Sequence, residues 1–265
     1  MKNRVKELLE KGETALGVWV NFDCAEYVEI LSMFDIDWLV FDSEHSPLDI
    51  PNIQRLLMPL NGSRITPIIR VPWNDMVMVK RALDIGAQGV LIPWINTVED
   101  ALYARRACMY PPEGLRGCGP RRCSSYGLES AEYFATANHE TLVIGQIETL
   151  QAVNNLDKIL ETKALDCIFV GPADLATSQG HVGQTRYPEN LKTIERILEI
   201  GKAHKTPVGI YSLGPDWNNK LIEQGFQFIA IGSTESFFIV GVKEVLDKVG
   251  RGRAKGFGKS REMEP

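Results

Sequence analysis

The chain has 265 residues, 44% of them hydrophobic, enough for one large domain or two small ones at roughly 150 residues each. Its 29 basic and 34 acidic side chains leave a net charge of −5, so it has no broad basic surface for a nucleic-acid backbone or an anionic membrane, and neither is expected as a partner. The longest apolar stretches, 89–95 and 167–170, fall far short of the ~20 residues that a membrane-spanning helix needs.

Residues 1–13 carry charges where a secretion signal needs an apolar run. The five cysteines, Cys24, Cys108, Cys118, Cys123 and Cys167, are odd in number and form no C-x-x-C pair. A cytoplasmic protein with free thiols is the expectation. The chain then alternates between two patterns. A strand is expected over 15–20, a helix over 25–34 behind an Asp23 cap, a strand over 38–42 and a helix over 50–60. Strands follow over 66–71, 89–93, 141–148, 167–171, 207–211 and 228–232, with helices over 75–85, 98–107, 151–160, 188–203 and 218–224. The strand cores WLVF, PIIRV, GVLIP, CIFVG and FIAIG are apolar throughout, as parallel strands covered on both faces must be. The pattern therefore predicts a single-domain (β/α)8 TIM barrel over 1–249, with a doubly wound open sheet as the other possibility.

Two connections are long. One follows the fourth strand and contains Pro111-Pro112-Glu113-Gly114-Leu115-Arg116-Gly117. The other runs from Gly171 to Tyr187. Long loops on a compact scaffold are usually kept for function. The tail, 250–265, is rich in Gly, Lys and Arg without an apolar period, and disorder is expected there.

In a parallel barrel the strand C-termini open on one face, so the polar residues at those ends form the candidate site. They are Asp42, Glu44 and His45 after the second strand, Arg70 in the third, Gln146 and Glu148 in the fifth and Asp174 after the sixth. Glu148 and Asp174, on adjacent strands, are hard oxygen ligands suited to Mg²⁺ or Mn²⁺ completed by water and substrate oxygens. A surface ion pair for Glu148 and a helix cap for Asp174 are the plainer alternatives. His45 is a candidate general base, or a hydrogen-bonded loop histidine. Arg70, inside an apolar strand, must meet an anion, and substrate, Asp42 and Glu44 all qualify. The Gly171-Pro172-Ala173-Asp174-Leu175 turn offers backbone N–H groups to a carboxylate. No lysine ends a strand, which disfavours a Schiff-base aldolase, and no Walker or G-x-G-x-x-G pattern supports nucleotide binding.

Around these residues the sequence resembles the HpcH/HpaI family of metal-dependent (class II) pyruvate aldolases. The resemblance rests on Phe41-Asp42-Ser43-Glu44-His45, Arg70-Val71-Pro72, Tyr110 to Gly117, Gln146-Ile147-Glu148-Thr149 and Gly171-Pro172-Ala173-Asp174-Leu175. It implies reversible cleavage of a 4-hydroxy-2-oxo acid to pyruvate and an aldehyde, with a divalent cofactor (Mg²⁺, Mn²⁺ or Co²⁺) on Glu148 and Asp174. It also implies that Gln146 contacts substrate, that the Ala173 and Asp174 backbone holds the pyruvate carboxylate, that Arg70 stabilises the enolate and that His45 is the acid/base.

The resemblance further gives Asp84 the role of raising the basicity of that histidine. Asp84 closes a helix that feeds the fourth strand, so it belongs on the opposite face of its own barrel and reaches a His45 only in another subunit. A homo-oligomer, a hexamer as in the family, reconciles the two, and Asp42 is the fallback partner for His45. Arg121-Arg122-Cys123 departs from the Ala-rich sequence of relatives, which suggests a different aldehyde-facing wall. The competing readings are an acyl-CoA lyase of the citramalyl type, for which no basic CoA groove is evident, and a non-catalytic barrel subunit.

Overall fold

The computed structural model describes residues 2–251. The elements are α1 (Arg4–Glu10), β1 (Ala15–Val20), α2 (Ala25–Ser32), β2 (Trp38–Asp42), α3 (Ile50–Leu56), β3 (Thr66–Arg70), α4 (Met76–Asp84), β4 (Gly89–Ile92) and α5 (Val98–Cys108). They continue with α6 (Ser130–Glu140), β5 (Leu142–Ile147), α7 (Leu150–Glu161), β6 (Cys167–Val170), α8 (Pro172–Ser178) and α9 (Pro188–Ala203). The last are β7 (Val208–Tyr211), α10 (Pro215–Gln224), β8 (Phe228–Ser233) and α11 (Thr234–Lys248). The eight strands are parallel and close in sequence order, β8 pairing with β1, so the open-sheet alternative falls away.

Two apolar layers hold this architecture. Inside the barrel, Trp19, Trp38, Val40, Ile68, Phe169 and Phe228 interlock, with the Trp38 and Phe228 rings stacked at 4.0 Å. Gly17 is required beside them, because the Trp38 ring occupies the space that a β-carbon would take. Between strands and helices lies the second layer, where Leu39, Phe41, Ile69, Val90, Val143 and Val170 meet the helices. Each such large side chain contributes about 1.5–3 kcal/mol on leaving water.

Four helices go beyond the sequence reading. Helix α1 closes the N-terminal end of the barrel by adding Val5 and Leu9 to the interior cluster. Asn3 fixes it there by donating to the carbonyls of Gln88 and Glu140, both at 2.9 Å. Helices α6 and α8 fall in connections expected to be loops. Helix α11 begins at a Ser233 capping box. Its apolar side chains Phe238, Ile239, Val240 and Val245 are 57–62% exposed, so it does not lie down on the barrel as the other helices do. The Asp23 cap is also corrected. Cys24 occupies that position, and Asp23 instead accepts from Asn52 at 2.6 Å and pairs with Arg55 at 2.9 Å, tying α2 to α3. Of the tail expected to be disordered, 252–265 lies outside the described residues.

Candidate functional site

Register builds the site. Asp42 and Arg70 end β2 and β3 as direct neighbours in the ladder. Gln146 sits opposite Phe169, and Ile147 opposite Val170, so Glu148 arrives beside Gly171. The rim these ends define is the floor of a cavity of about 730 Å³, which Asp42, His45, Arg70, Gln146, Ala173 and Asp174 line.

The anion that Arg70 meets lies within the chain. Its Nε donates to Asp42 Oδ1 at 2.9 Å and its Nη2 to Oδ2 at 2.8 Å, a bidentate fork, while Nη1 pairs with Glu44 Oε2 at 2.9 Å. The guanidinium also lies 5.1 Å from the Trp19 ring. Burial pushes the Asp42 carboxyl up, but the hydrogen bonds and charge of Arg70 outweigh it and hold the group below the ordinary value. Asp42 accepts as well from the backbone N–H of Glu44 (3.0 Å) and His45 (3.3 Å) and from the Ser46 hydroxyl (3.0 Å), so it organises the loop that carries the histidine. The His45 ring itself is 63% exposed with Glu44 Oε2 3.9 Å away, and Asp42 contacts its backbone only. The fallback pairing of Asp42 with the ring is therefore not what the loop geometry provides.

Glu148 is 1% exposed. Its Oε1 accepts from the Trp94 N–H at 2.9 Å and its Oε2 from the Gln146 amide. Desolvation, with the neighbouring charges of Glu44 and Asp174, pushes it up to about 7. Glu44 is also pushed up to about 7, by burial first, with Asp42 and Asp174 adding to it and Arg70 opposing. The floor thus concentrates carboxyl groups, and among the described residues no Lys or Arg pairs with Glu148 or Asp174. The plainer reading of Glu148 as a surface ion pair is excluded by its burial.

The donor chemistry fits a hard divalent cation. Gln146 Oε1 is buried without a hydrogen-bond partner among the described residues. A β-carbon on Gly171 would fall 2.8 Å from Glu148 Oε2, so the glycine keeps this cradle open. No three His, Cys, Asp or Glu side chains gather into a ready-made cage among the described residues. Two carboxylates with water and substrate oxygens filling the rest of the shell is the manner in which Mg²⁺ and its analogues are commonly held.

Two contributors were not evident from sequence. Trp94 adopts a left-handed backbone (φ 56°) as it gives its N–H to Glu148, a conformation that costs a non-glycine residue roughly 1 kcal/mol and is characteristic of functional sites. A backbone donor leaves no mark in sequence. The outer wall of the cavity is built from Tyr211, Leu213, Trp217 and Arg186, the last in the long connection after β6 that the loop lengths had already marked.

Asp84 ends α4, before β4, on the face away from its own cavity, as expected. There it pairs with the buried Arg116 at 2.8 Å, and Arg116 also donates to the Tyr133 hydroxyl at 2.8 Å. Of Arg121-Arg122-Cys123, Arg122 is held within its own chain. Arg122 donates to the Leu57 carbonyl (2.8 Å), the Asn61 side chain (2.6 Å) and the Ile85 carbonyl (3.4 Å). It caps the ends of helices at the N-terminal side of the barrel and faces no aldehyde in this chain's cavity.

The fold and site together are a closed parallel barrel with a carboxylate-rich, arginine-anchored rim. Residues 15–240 match the HpcH/HpaI aldolase/citrate lyase family. The 5-keto-4-deoxy-D-glucarate aldolase of Shigella boydii is 38% identical over 246 residues, 92% of this chain and 95% of that one. An HpcH/HpaI aldolase/citrate lyase family protein from Burkholderia cenocepacia superposes with a TM-score of 0.90 at 33% identity, covering 94% of this chain and 100% of that one. An HpcH/HpaI aldolase from Desulfitobacterium hafniense gives 0.84 at 25% identity over 95% and 98%. The chain belongs to the HpcH/HpaI aldolase/citrate lyase family. It is a carbon–carbon lyase. Among the described residues no helix is long and apolar enough to cross a membrane.

Proposed function

We propose that the chain catalyses reversible aldol cleavage of a 4-hydroxy-2-oxo acid to pyruvate and an aldehyde, with Glu148 and Asp174 holding a divalent cation, Mg²⁺, Mn²⁺ or Co²⁺. The observation that carries this reading is at the ends of β5 and β6, where Glu148 and Asp174 come together without a Lys or Arg partner among the described residues, beside a cavity floored by an arginine fixed in place. When bound, the cation withdraws electron density from a 2-oxo acid and so eases loss of a proton or a carbon–carbon bond next to the keto group.

The protein's own groups do the rest. Asp42 takes two of the five guanidinium N–H groups of Arg70 in hydrogen bonds and Glu44 adds an ion pair at Nη1, so the guanidinium is fixed while donors remain for the cavity. Positive charge is thereby in position where the enolate oxygen develops, with no reorganisation during the reaction. Gln146 orients substrate with the oxygen it has free, while its N–H steadies Glu148. The backbone N–H groups of Ala173 and Asp174, at the start of α8, take the pyruvate carboxylate. His45, exposed at the rim, moves the proton between the aldehyde-side hydroxyl and solvent.

The working enzyme is, on this reading, a cytoplasmic homo-oligomer, a hexamer, in which the partner subunit's Asp84 approaches His45. Support comes from the uncovered apolar side chains of α11, from the lack of any partner for the His45 ring beyond Glu44 among the described residues, and from the five free cysteines.

The test is deuterium exchange into the pyruvate methyl group, without aldehyde. Exchange that chelator abolishes, a divalent cation restores and borohydride leaves intact is expected. Exchange unaffected by chelator, or borohydride inactivation with mass added to a lysine, would overturn the reading. For the assembly, mixing His45→Ala with Asp84→Asn subunits regenerates some complete sites and some activity. A fully active monomer refutes it.

A further inference from the structure

One sequence motif, Tyr110 to Gly117, has no place at the cavity of its own chain, whose lining it does not join. Its backbone folds back on the end of α5, where the Leu115 N–H donates to the Arg106 carbonyl at 2.7 Å and the Arg116 N–H to the Met109 carbonyl at 2.9 Å. Gly114 is required in this turn, because a β-carbon there would collide with both carbonyls. The Tyr110 backbone is held from the other side, donating to Asn138 on α6 at 2.7 Å and accepting from it at 3.1 Å. What the turn fixes is the placement of the Arg116 side chain.

That side chain is 0% exposed, whereas its ion-pair partner Asp84, 2.8 Å away, is 20% exposed. The same Nη2 donates to the Tyr133 hydroxyl at 2.8 Å, and the guanidinium carbon lies 4.5 Å from the Tyr110 ring centroid and 5.8 Å from that of Tyr133. Its Nε and Nη1 are buried without a partner among the described residues. Taking a guanidinium wholly out of water is costly, and an apolar side chain of similar volume would hold the turn at least as well. The charge is therefore kept for what it does to Asp84. A planar guanidinium packed against two rings has a fixed direction, and so has the carboxylate bound to it. Only Oδ1 of Asp84 is engaged, and Oδ2 accepts no hydrogen bond among the described residues. The result is a carboxylate anchored from inside, with one oxygen presented outwards on the face away from its own cavity.

Building on the assembly reading above, in which Asp84 of one chain approaches His45 of the partner subunit, we propose that Arg116 is the positioning residue of that contact. With Tyr110 and Tyr133 it holds Asp84 by one oxygen so that the other faces the histidine. Arg116 touches nothing in the cavity of its own chain and acts only through Asp84, on the site of another subunit. The competing role is local, a staple that joins α4 to α6 and serves only its own barrel.

The experiment follows aldol addition of pyruvate to glycolaldehyde with Mg²⁺. Arg116→Lys keeps the charge and loses the planar group, so kcat is expected to fall about 10- to 100-fold at unchanged KM for pyruvate, the size of effect that a small misplacement produces. In an Asp84→Asn background the same substitution should change kcat no further. A loss confined to KM, or a full additional loss in that background, overturns the assignment. Tyr133→Phe keeps the ring and removes the hydroxyl; it should give a smaller fall in the same direction, and it replaces Arg116→Lys in every arm if calorimetry shows the lysine variant unfolded. Oligomers co-expressed from His45→Ala and Arg116→Lys chains then separate the two roles. Some of their sites draw His45 from one chain and an intact Arg116–Asp84 pair from the other, so activity should exceed the sum of the two parents. Restoration both here and in the His45→Ala with Asp84→Asn oligomer is the expected result. Restoration with Asp84→Asn alone makes Arg116 a local staple and overturns its role while the assembly reading stands. No restoration in either oligomer overturns the assembly reading, and the positioning role with it.

Discussion

Replacing Arg70 by Met separates its structural role from its chemical one. The side chain bridges Asp42, which is 1% exposed, and Glu44, so its removal strands a buried carboxylate. Breaking a buried pair from one side costs about 3–5 kcal/mol. At about 2–4 °C per kcal/mol for a chain of this size, the unfolding midpoint should drop by roughly 6–20 °C near neutral pH. The sign with pH follows from Asp42. In the parent its carboxyl lies below the ordinary value, so it adds stability that is present above the unfolded value of 3.8 and lost as pH falls through the folded one. Without Arg70 burial is opposed only by the hydrogen bonds from the Glu44 and His45 backbone and the Ser46 hydroxyl, so the folded value rises and the penalty for losing the arginine grows as pH rises through it. The deficit of Arg70→Met should therefore be larger at pH 8 than at pH 5. Glu44, already pushed up to about 7, escapes most of the penalty by keeping its proton. Adding Asp42→Asn to Arg70→Met removes the stranded charge and should recover most of the stability, a coupling that a double-mutant cycle by calorimetry measures. Activity should stay down on the order of 10²-fold, because the guanidinium is absent where charge develops. Simple additivity of the two deficits, or equal deficits at pH 5 and pH 8, would refute this account.

Glu148, pushed up to about 7, must lose its proton to hold a cation, so calorimetric affinity for Mn²⁺ should fall about tenfold per pH unit below that value with proton uptake by buffer, and a flat profile from pH 5.5 to 8 would contradict the site. By the same sign, the metal-free protein has this carboxyl's stabilisation in full below the unfolded value of 4.5 and loses it as pH rises through about 7. Arg122→Ala removes three hydrogen bonds, two of them to helix-end carbonyls, and should cost about 1–3 kcal/mol and speed amide exchange in its own turn, 122–127, a prediction that unchanged exchange would exclude.

The strands were legible because a parallel strand covered on both faces reads as an unbroken apolar run, and each of the eight lies within one residue of its expected bounds. Strand ends then named the site, since in a barrel those ends meet whatever their separation in sequence. Helices were legible only where one face is buried. Helix α1 turns just Val5 and Leu9 inward amid charges, and α11 has apolar side chains all round, so neither presents a stripe to find. Contacts made by backbone groups, such as Trp94 to Glu148, lie beyond any reading of side chains.

Arg122 and Arg186 illustrate the remaining limit. Both lie in long connections, and sequence alone does not tell which of the two faces a pocket. What separates them is where each connection is anchored. The one after α5 is drawn under the barrel, where Arg122 finds helix carbonyls whose partial negative charge satisfies it. The one after α8 stays on the rim, where a ring holds Arg186 and no described carboxylate does. A cation that the fold neutralises is structural, and the same residue type held by a ring at a cavity mouth keeps its charge there.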